Sequence, residues 1–311
     1  MMTAARRVST FFTLCLVTTS VANGWIFSSS QLSAPFRIRQ ETALFASESS
    51  DDGQSPMIPS DIKSAIRNIA VDLWGDQSAL DKVATVIDDG IDPLQGEMQL
   101  PSNSPITERY AYFLEEAKRG DARAQHSVGL LLWNGFASVG IDPEASARWH
   151  AAAAVQGNID ALAVFGGCLR TGTGFGKHNK NIALGLKCID YAASVGNPSG
   201  VNKKGAMLES NDDWFNAAHL YEKYCIDKST RNNALLLFNW GYCLVNGNGV
   251  EQDTQAGETI WKESVDMAPD EGSEEAAYFL YEQCVKDDIG EARRWLEISA
   301  ELGYQEAIAL I

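Results

Sequence analysis

Long apolar runs, basic residues and paired cysteines are all scarce in this 311-residue chain, and each scarcity removes a class of function. No stretch reaches the roughly 18 to 20 apolar residues that a helix needs to cross a bilayer, so no transmembrane segment is expected. Basic residues are outnumbered: 25 Lys plus Arg stand against 41 Asp plus Glu, giving a formal net charge of −16 and a pI near 4.6. Affinity for nucleic acid comes mainly from cations that displace counterions along the phosphates, so DNA and RNA are not expected as partners. Of the six cysteines, no two form a CxxC pair, and the four histidines include neither an HExxH motif nor an i, i+4 pair. What remains is 45% hydrophobic, the make-up of a globular chain of about two domain-lengths at most.

The first 24 residues have the three parts of a secretory signal: the basic pair Arg6-Arg7, an apolar run from Phe11 to Val17, and the small-residue stretch Ser20 to Gly24. The segment from Trp25 to residue 45 is Ser-rich, carries Arg37 and Arg39, and has no acid before Glu41. A signal followed by such a segment, with an aromatic residue at its first place, resembles the bipartite presequences of algae with secondary, red-type plastids. That resemblance implies a plastid stroma, with Trp25 where Phe is usual. Simple secretion, with residues 25–55 as a linker, is the alternative. Removal of residues 1–45 takes four basic residues and one acid, leaving a net charge of −19. The five cysteines that remain, Cys168, Cys188, Cys225, Cys243 and Cys284, are an odd, widely spaced set, which suits buried thiols in a reducing compartment better than a disulfide framework.

From Gly120 onward the chain repeats. Units close at Gly120, Gly157, Gly196, near Lys228, near Pro269 and at Gly303. A second glycine follows the early closures at Gly129, Gly166 and Gly205, and recurs at Gly241; a third stands at Gly135, Gly172 and Gly247. Ahead of each closure stands one bulky or apolar side chain: Trp149, Cys188, Leu220, Trp261 and Trp295. Small residues such as Ala153-Ala154 and Ala192-Ala193 follow one turn later, which makes a knob beside a close-approach surface on one helix face. Each unit thus reads as two amphipathic helices, a first (A) and a second (B).

The segments AQHSVGLLLWNGFASVGIDPEASARWHAAAAVQG and ALLLFNWGYCLVNGNGVEQDTQAGETIWKESVDMA resemble Sel1-like repeats, relatives of the tetratricopeptide repeat. That pattern has a Gly in helix A, a G-x-G-type turn with a following Asp, a Trp in helix B and an Ala-Ala-x-x-Gly ending. The second unit keeps its glycines but has Cys188 in the Trp place; the third, about 198–230, is eroded; the fifth lacks the Gly pair. The resemblance covers about residues 110–311 and implies an all-α fold, an α/α solenoid wound as a right-handed superhelix of about five units. One helical pair cannot bury its own apolar face, so stacked neighbours share a core and the end units need caps.

The expected organisation is a signal peptide (1–24), a transit peptide (25–45), an acidic disordered linker (46–59), a helical N-terminal cap or degenerate repeat (60–119) and the solenoid (120–311). Within the cap, Ile62, Ile66, Ile69 and Leu73 repeat at helical spacing, as do Leu80, Val83 and Ile87. A Pro-rich linker over 91–105 then leads into a helix ending at Arg119, and the C-terminal YQEAIALI begins a further helix A as a cap.

Three constellations invite a chemical reading. The loop GTGFGKHNK fails as a phosphate loop because Thr171 takes the first Gly place, His178 replaces the hydroxyl residue and a helix precedes it; its glycines are those of the repeat turn. His126, His150, His178 and His219 are dispersed, and the thiols fall on helix positions suited to burial, so no catalytic, metal-binding or cofactor-binding residues are expected. Trp149, Trp261 and Trp295 read as core, while Trp133, Trp214 and Trp240 fall outside that register. Acidic runs such as Glu274-Glu275 mark solvated helix starts or, alternatively, a patch for a basic partner segment.

The resemblance implies a non-enzymatic scaffold that presents a concave groove, lined mainly by helix A, to a protein or peptide partner. In a plastid such an adaptor would serve the assembly, stability or quality control of a protein complex. An adaptor of the secretory pathway or endoplasmic reticulum and a Sel1-repeat hydrolase are the rivals.

Overall fold

The computed structural model describes residues 56–74, 106–135, 140–226, 233–268 and 270–311. The signal, the transit segment, the linker as far as residue 55, the helix expected around Leu80–Ile87, the 91–105 linker and the closures near Lys228 and Pro269 lie outside these residues, while the last residues of the expected disordered linker, 56–59, are described and place Ile58 in the core. Among the described residues there are thirteen α-helices, one 3₁₀ turn and no strand. They are α1 (Ser60–Trp74), α2 (Ile106–Arg119), α3 (Ala122–Asn134), α4 (Pro143–Gln156), α5 (Ile159–Thr171), α6 (Ile182–Ser194), α7 (Pro198–Ser210), α8 (Trp214–Ile226), α9 (Ala234–Asn246), α10 (Thr254–Asp266), α11 (Ser273–Cys284), α12 (Ile289–Leu302) and α13 (Gln305–Ile308). Helices α3 to α12 form five antiparallel A/B hairpins, and each B helix packs on the next A helix. The fold is an α/α solenoid.

Helix starts follow a local rule. Asp121, Asp142, Asn158, Asn181, Asn197, Asn233, Asp253 and Asp288 each accept a hydrogen bond from a backbone N–H three residues on, satisfying a donor that the first turn leaves orphaned. Three A helices stop where a glycine turns left-handed, at Gly135 (φ 66°), Gly172 (φ 78°) and Gly247 (φ 69°), with each N–H returned to the carbonyl four residues back. Glycines with positive φ also close units at Gly120, Gly157, Gly196 and Gly303. Asn and Asp in one place and Gly in the other thus set the length of each hairpin before any tertiary contact forms.

The core is strung along the array rather than gathered at one centre. Phe113 and Ala117 of α2 pack with Val128 and Leu131 of α3; Tyr221 and Cys225 of α8 pack with Leu236 and Leu237 of α9; Trp261 of α10 packs with Ala276 and Phe279 of α11. Successive A helices also pack directly, α5 on α7, α7 on α9 and α9 on α11, so this is the side on which the array closes and the inner face of the curve.

Helix α1 does not stack at the end of the array as an ordinary cap or repeat would. It lies across the B helices α4 and α6. Ile58, Ile62 and Ile66 are 3%, 2% and 0% exposed, in one core with Ala147, Ala151 and Val155 of α4, Phe165 of α5 and Cys188 of α6. The Ala-rich stretch Ala151–Ala154 leaves no bulk on α4, so the isoleucines of α1 fill the space between two B helices. Beyond them, Trp74 meets Phe165 and Phe175 at 6.5 Å and lies under the Arg148 guanidinium at 5.4 Å. At the other end of the chain, α13 is a single turn seated on α12.

Candidate functional site: the inner face and the helix A glycines

Each helix A glycine is the floor on which a helix B side chain rests. A Cβ at Gly241 would stand 2.6 Å from the Trp261 indole, one at Gly129 2.7 Å from the His150 ring, and one at Gly166 2.9 Å from Cys188 and 3.1 Å from Ile189; Gly205 lies under the Tyr221 ring in the same way. Only Gly lets the hairpin close around these groups.

This register differs from the one that the closures suggest. Trp261 is fully buried on its glycine, but Trp149, Leu220 and Trp295 are half-buried, and in the first and third hairpins the neighbours His150 and Tyr221 take the glycine. The cause is a one-residue variation between helix start and unit closure. Counted from the capping residue, His150 follows Asp142 by the same interval as Ile189 follows Asn181, Tyr221 follows Asp213 and Trp261 follows Asp253. Trp149 instead packs against the α2–α3 core, and Trp295 against the α10–α11 core.

The polar ends of these side chains are treated differently. Trp261 Nε1 donates to the Phe238 carbonyl at 3.1 Å, and Tyr221 donates its hydroxyl proton to Glu209 at 2.6 Å. His150 is 0% exposed, its Nδ1 lies 3.2 Å from His126 Nδ1, and its buried Nε2 has no hydrogen-bond partner. Burial holds both imidazoles below the usual histidine range, and His126 adds to the effect on His150. The two histidines are far apart in sequence, and the pair shows only once A and B helices are aligned by their caps. No three His, Cys, Asp or Glu side chains among the described residues gather as a metal ion would require.

The thiols are packing groups. Cys168, Cys188, Cys225 and Cys243 are buried, and none of the five described cysteines is in a disulfide. Burial pushes Cys168 up to about 11 and Cys188 and Cys243 up to about 12, so the nucleophilic thiolate is strongly disfavoured at neutral pH. The 172–180 loop is structural too: Gly174 lies against the Pro143 carbonyl and Ala147, and Phe175 packs on Trp74 and Phe165.

Half-exposed side chains of the A helices form the inner face. Asn239 of α9 donates to Asn202 of α7 at 3.0 Å, tying two units. Lys203 extends beside Gly167 of α5, and burial lowers its pKa while the Cys168 thiol and the Glu271 carboxylate oppose that shift. Towards the C-terminus the face becomes aromatic: half-buried Phe238 and Tyr242 of α9 and Tyr278 of α11 pack on the buried Phe279 with ring centroids 5.4 to 6.3 Å apart, and Trp214 at the start of the B helix α8 meets Tyr242 at 6.4 Å. Trp214 also donates to Asp212 at 3.1 Å, while Trp133 and Trp240 flank neighbouring cores.

Comparison with known proteins fits this geometry. The Sel1 repeat model matches residues 122–158, 234–260 and 274–304. Those three segments are similar to the Sel1 repeat. The matched segments are the first, fourth and fifth hairpins, and the structure supplies the second and third, which close in the same way around Gly166 and Gly205. The crystal structure of a Sel1 repeat protein from Oxalobacter formigenes is similar over 74% of this chain and 86% of that one, with a TM-score of 0.50 and 20% identity. That of c5321, a protective antigen of uropathogenic Escherichia coli with an SLR fold, aligns over 79% of this chain and 50% of that one, at a TM-score of 0.43 and 19% identity. No curated protein sequence matches the chain. Sel1-repeat proteins typically act as protein-interaction scaffolds, and no helix among the described residues is long and apolar enough to cross a membrane.

Proposed function

We propose that this Sel1-repeat chain is a non-enzymatic adaptor whose inner face holds a protein or peptide partner, in the assembly, stability or quality control of a plastid protein complex. The observation that supports it is the row of half-exposed polar and aromatic side chains that the A helices carry from α5 to α11, on a backbone whose buried groups are already committed to packing. Large, rigid aromatic groups beside hydrogen-bonding amides are what protein contacts favour. The plastid setting rests on the presequence alone, Arg6-Arg7 through Ala46.

Crosslinking and affinity purification of the tagged full-length chain from its native type of cell, read by mass spectrometry, tests the adaptor reading. A reproducible stoichiometric partner supports it; recovery of the chain alone overturns it and brings assays with covalent serine and cysteine probes to the front. A fluorescent reporter fused to residues 1–55 tests the address. Accumulation in the plastid supports the setting, and retention in the secretory pathway replaces it with a secretory adaptor.

A further inference from the structure

The B helices present one stripe to the outer side of the array, and α1 marks where it runs. Counted from the capping residue, the second, sixth, ninth and thirteenth places of a B helix lie three and four residues apart and so share a face. On α4 these places hold Glu144, Arg148, Ala151 and Val155, of which the last two share a core with the isoleucines of α1. On α6 the sixth place is Lys187, paired with Asp61 of α1, and the others are Ala183, Asp190 and Ser194. On α10 and α12 the same places carry only Gly, Thr, Gln and charged residues. Where α1 does not cover it, the stripe is small or polar on every one of these helices.

Helix α8 breaks the rule. Counted from Asp213, its stripe reads Phe215, His219, Glu222 and Ile226. Phe215 and Ile226 are 70% and 72% exposed, and between them His219 Nδ1 stands 3.5 Å from Glu222 Oε2 at the surface. The two apolar groups lie eleven residues apart, about 16 Å along the helix at 1.5 Å per residue. This hairpin lies outside the segments that match the Sel1 repeat, so the stripe is no requirement of the repeat. Its order is also its own complement when reversed. An antiparallel two-fold that sets Phe215 opposite Ile226 of a second copy sets His219 opposite Glu222 of that copy, because both pairs are centred between Leu220 and Tyr221. Apolar then meets apolar at both ends, and opposite polarity meets in the middle.

We propose that two copies of this chain pair through α8, antiparallel about a two-fold axis, on the face that α1 covers on α4 and α6. Each copy buries Phe215 against Ile226 of the second copy, and the His219 and Glu222 contacts fix the register. The acidic start of α8 at Asp212-Asp213 runs alongside the end that carries Lys223 in the second copy, which also sets the helix dipoles head to tail. The inner face stays open on the other side of each copy, so the pairing does not depend on the adaptor reading. The net charge of −16 on each copy opposes their approach at long range, and physiological salt screens that repulsion. Three turns make a small interface, so the association is of micromolar order.

Sedimentation of the full chain over about 1 to 200 µM tests this, with dimer expected in the upper part of the range. Phe215→Asp and Ile226→Asp, both at exposed positions that folding does not need, are each expected to leave monomer throughout, with an unchanged circular dichroism spectrum. Ile289→Asp removes an equally exposed apolar group, 79% exposed at the start of α12 and off the stripe, and is expected to leave the dimer intact. His219→Glu sets like charges opposite each other and is expected to raise Kd about tenfold, and adding Glu222→Lys to it is expected to restore the wild-type value. Wild type that stays monomeric, a dimer that survives both aspartate variants, loss of the dimer with Ile289→Asp, or a charge swap that fails to restore pairing overturns the proposal. A monomeric wild type whose Phe215→Asp variant loses a different protein in affinity purification also overturns it, and assigns the stripe to that protein.

Discussion

The first and fifth hairpins, α3/α4 and α11/α12, are built on one pattern: an Asx-started B helix, a helix A with small residues at its crossing, and a serine of helix B that donates to a helix A carbonyl. Ser146 donates to Gly129 at 2.7 Å in the first, and Ser299 to Glu274 at 2.8 Å in the fifth. Their electrostatics are opposed. The first hairpin buries two imidazoles that burial keeps neutral; the fifth buries carboxyls, of which Glu275 is pushed up to about 7 and Glu274 well above the usual carboxylate range. The first is also covered by α1, while the fifth carries only the single turn of α13. A repeat fold fixes the backbone and leaves each unit free to carry its own ionisable cargo, because stability in a solenoid is a sum over units and their nearest neighbours.

The largest effect expected is on the covered end. Ile66 is fully buried between α4 and α6, and Ile66→Ala should cost about 2–5 kcal/mol through lost transfer energy and a cavity. Hydrogen exchange followed by mass spectrometry should show the loss in α1, α4, α5 and α6, with α11 and α12 unchanged. Equal loss at both ends would mean that the array unfolds as one block and that the comparison of ends has no energetic content.

At the uncovered end, pH separates the two hairpins. A carboxyl with a folded pKa raised from 4.5 to about 7 contributes stability that is fully present below 4.5 and lost as pH rises through 7. The histidines run the other way: with folded pKa values below 6.5, their contribution is present above that value and lost as pH falls through the depressed range. Glu275→Gln should therefore stabilise the chain at pH 8, on the order of 2 kcal/mol, and do nothing at pH 4. Urea midpoints at the two pH values check this, and a gain equal at both would remove ionisation as the cause. His150→Leu should do the reverse on a smaller scale, stabilising the chain by about 1 kcal/mol more at pH 5.5 than at pH 8, because the buried ring stays neutral where the unfolded chain's imidazole takes up a proton. A loss at pH 5.5 would show that the His126 contact stabilises more than the orphaned nitrogen costs.

Local signals carried much of the fold, while the points at which sequence reading fell short were tertiary. The A and B helices were legible from the glycine period and the amphipathic pattern, while the Asx starts and Gly stops that set their ends act within four residues. The glycine floors at Gly129, Gly166, Gly205 and Gly241 were legible as a period, but counting back from closures put Trp149 where His150 sits, because the span from cap to closure varies by one residue. The His126–His150 pair and the Tyr278–Tyr304 ring contact each join residues more than twenty apart through helix alignment, and no spacing rule marks them. The seat of α1 was not legible at all: Ile62 and Ile66 announce an amphipathic helix, but its acceptor is a gap between Ala-rich B helices that only the assembled array creates.

The smallest effect expected concerns what holds that helix down. Asp61 of α1 is ion-paired with Lys187 of α6, and the hydrogen-bonded ammonium holds the carboxyl below its usual range. Both partners are solvent-exposed, so water and salt screen the pair and side-chain entropy offsets its attraction. Nearby, Tyr191 donates its hydroxyl proton to the Met57 carbonyl at 2.8 Å, also at the surface. If α1 is held by Ile58, Ile62 and Ile66, then Asp61→Asn should leave the urea midpoint unchanged at both low and high salt, whereas Ile66→Ala shifts it at either. A salt-dependent fall for Asp61→Asn comparable to that of Ile66→Ala would assign the covering of the N-terminal hairpins to charge instead of apolar burial. Since a screened surface pair follows ionic strength and a filled gap does not, the salt series decides between the two.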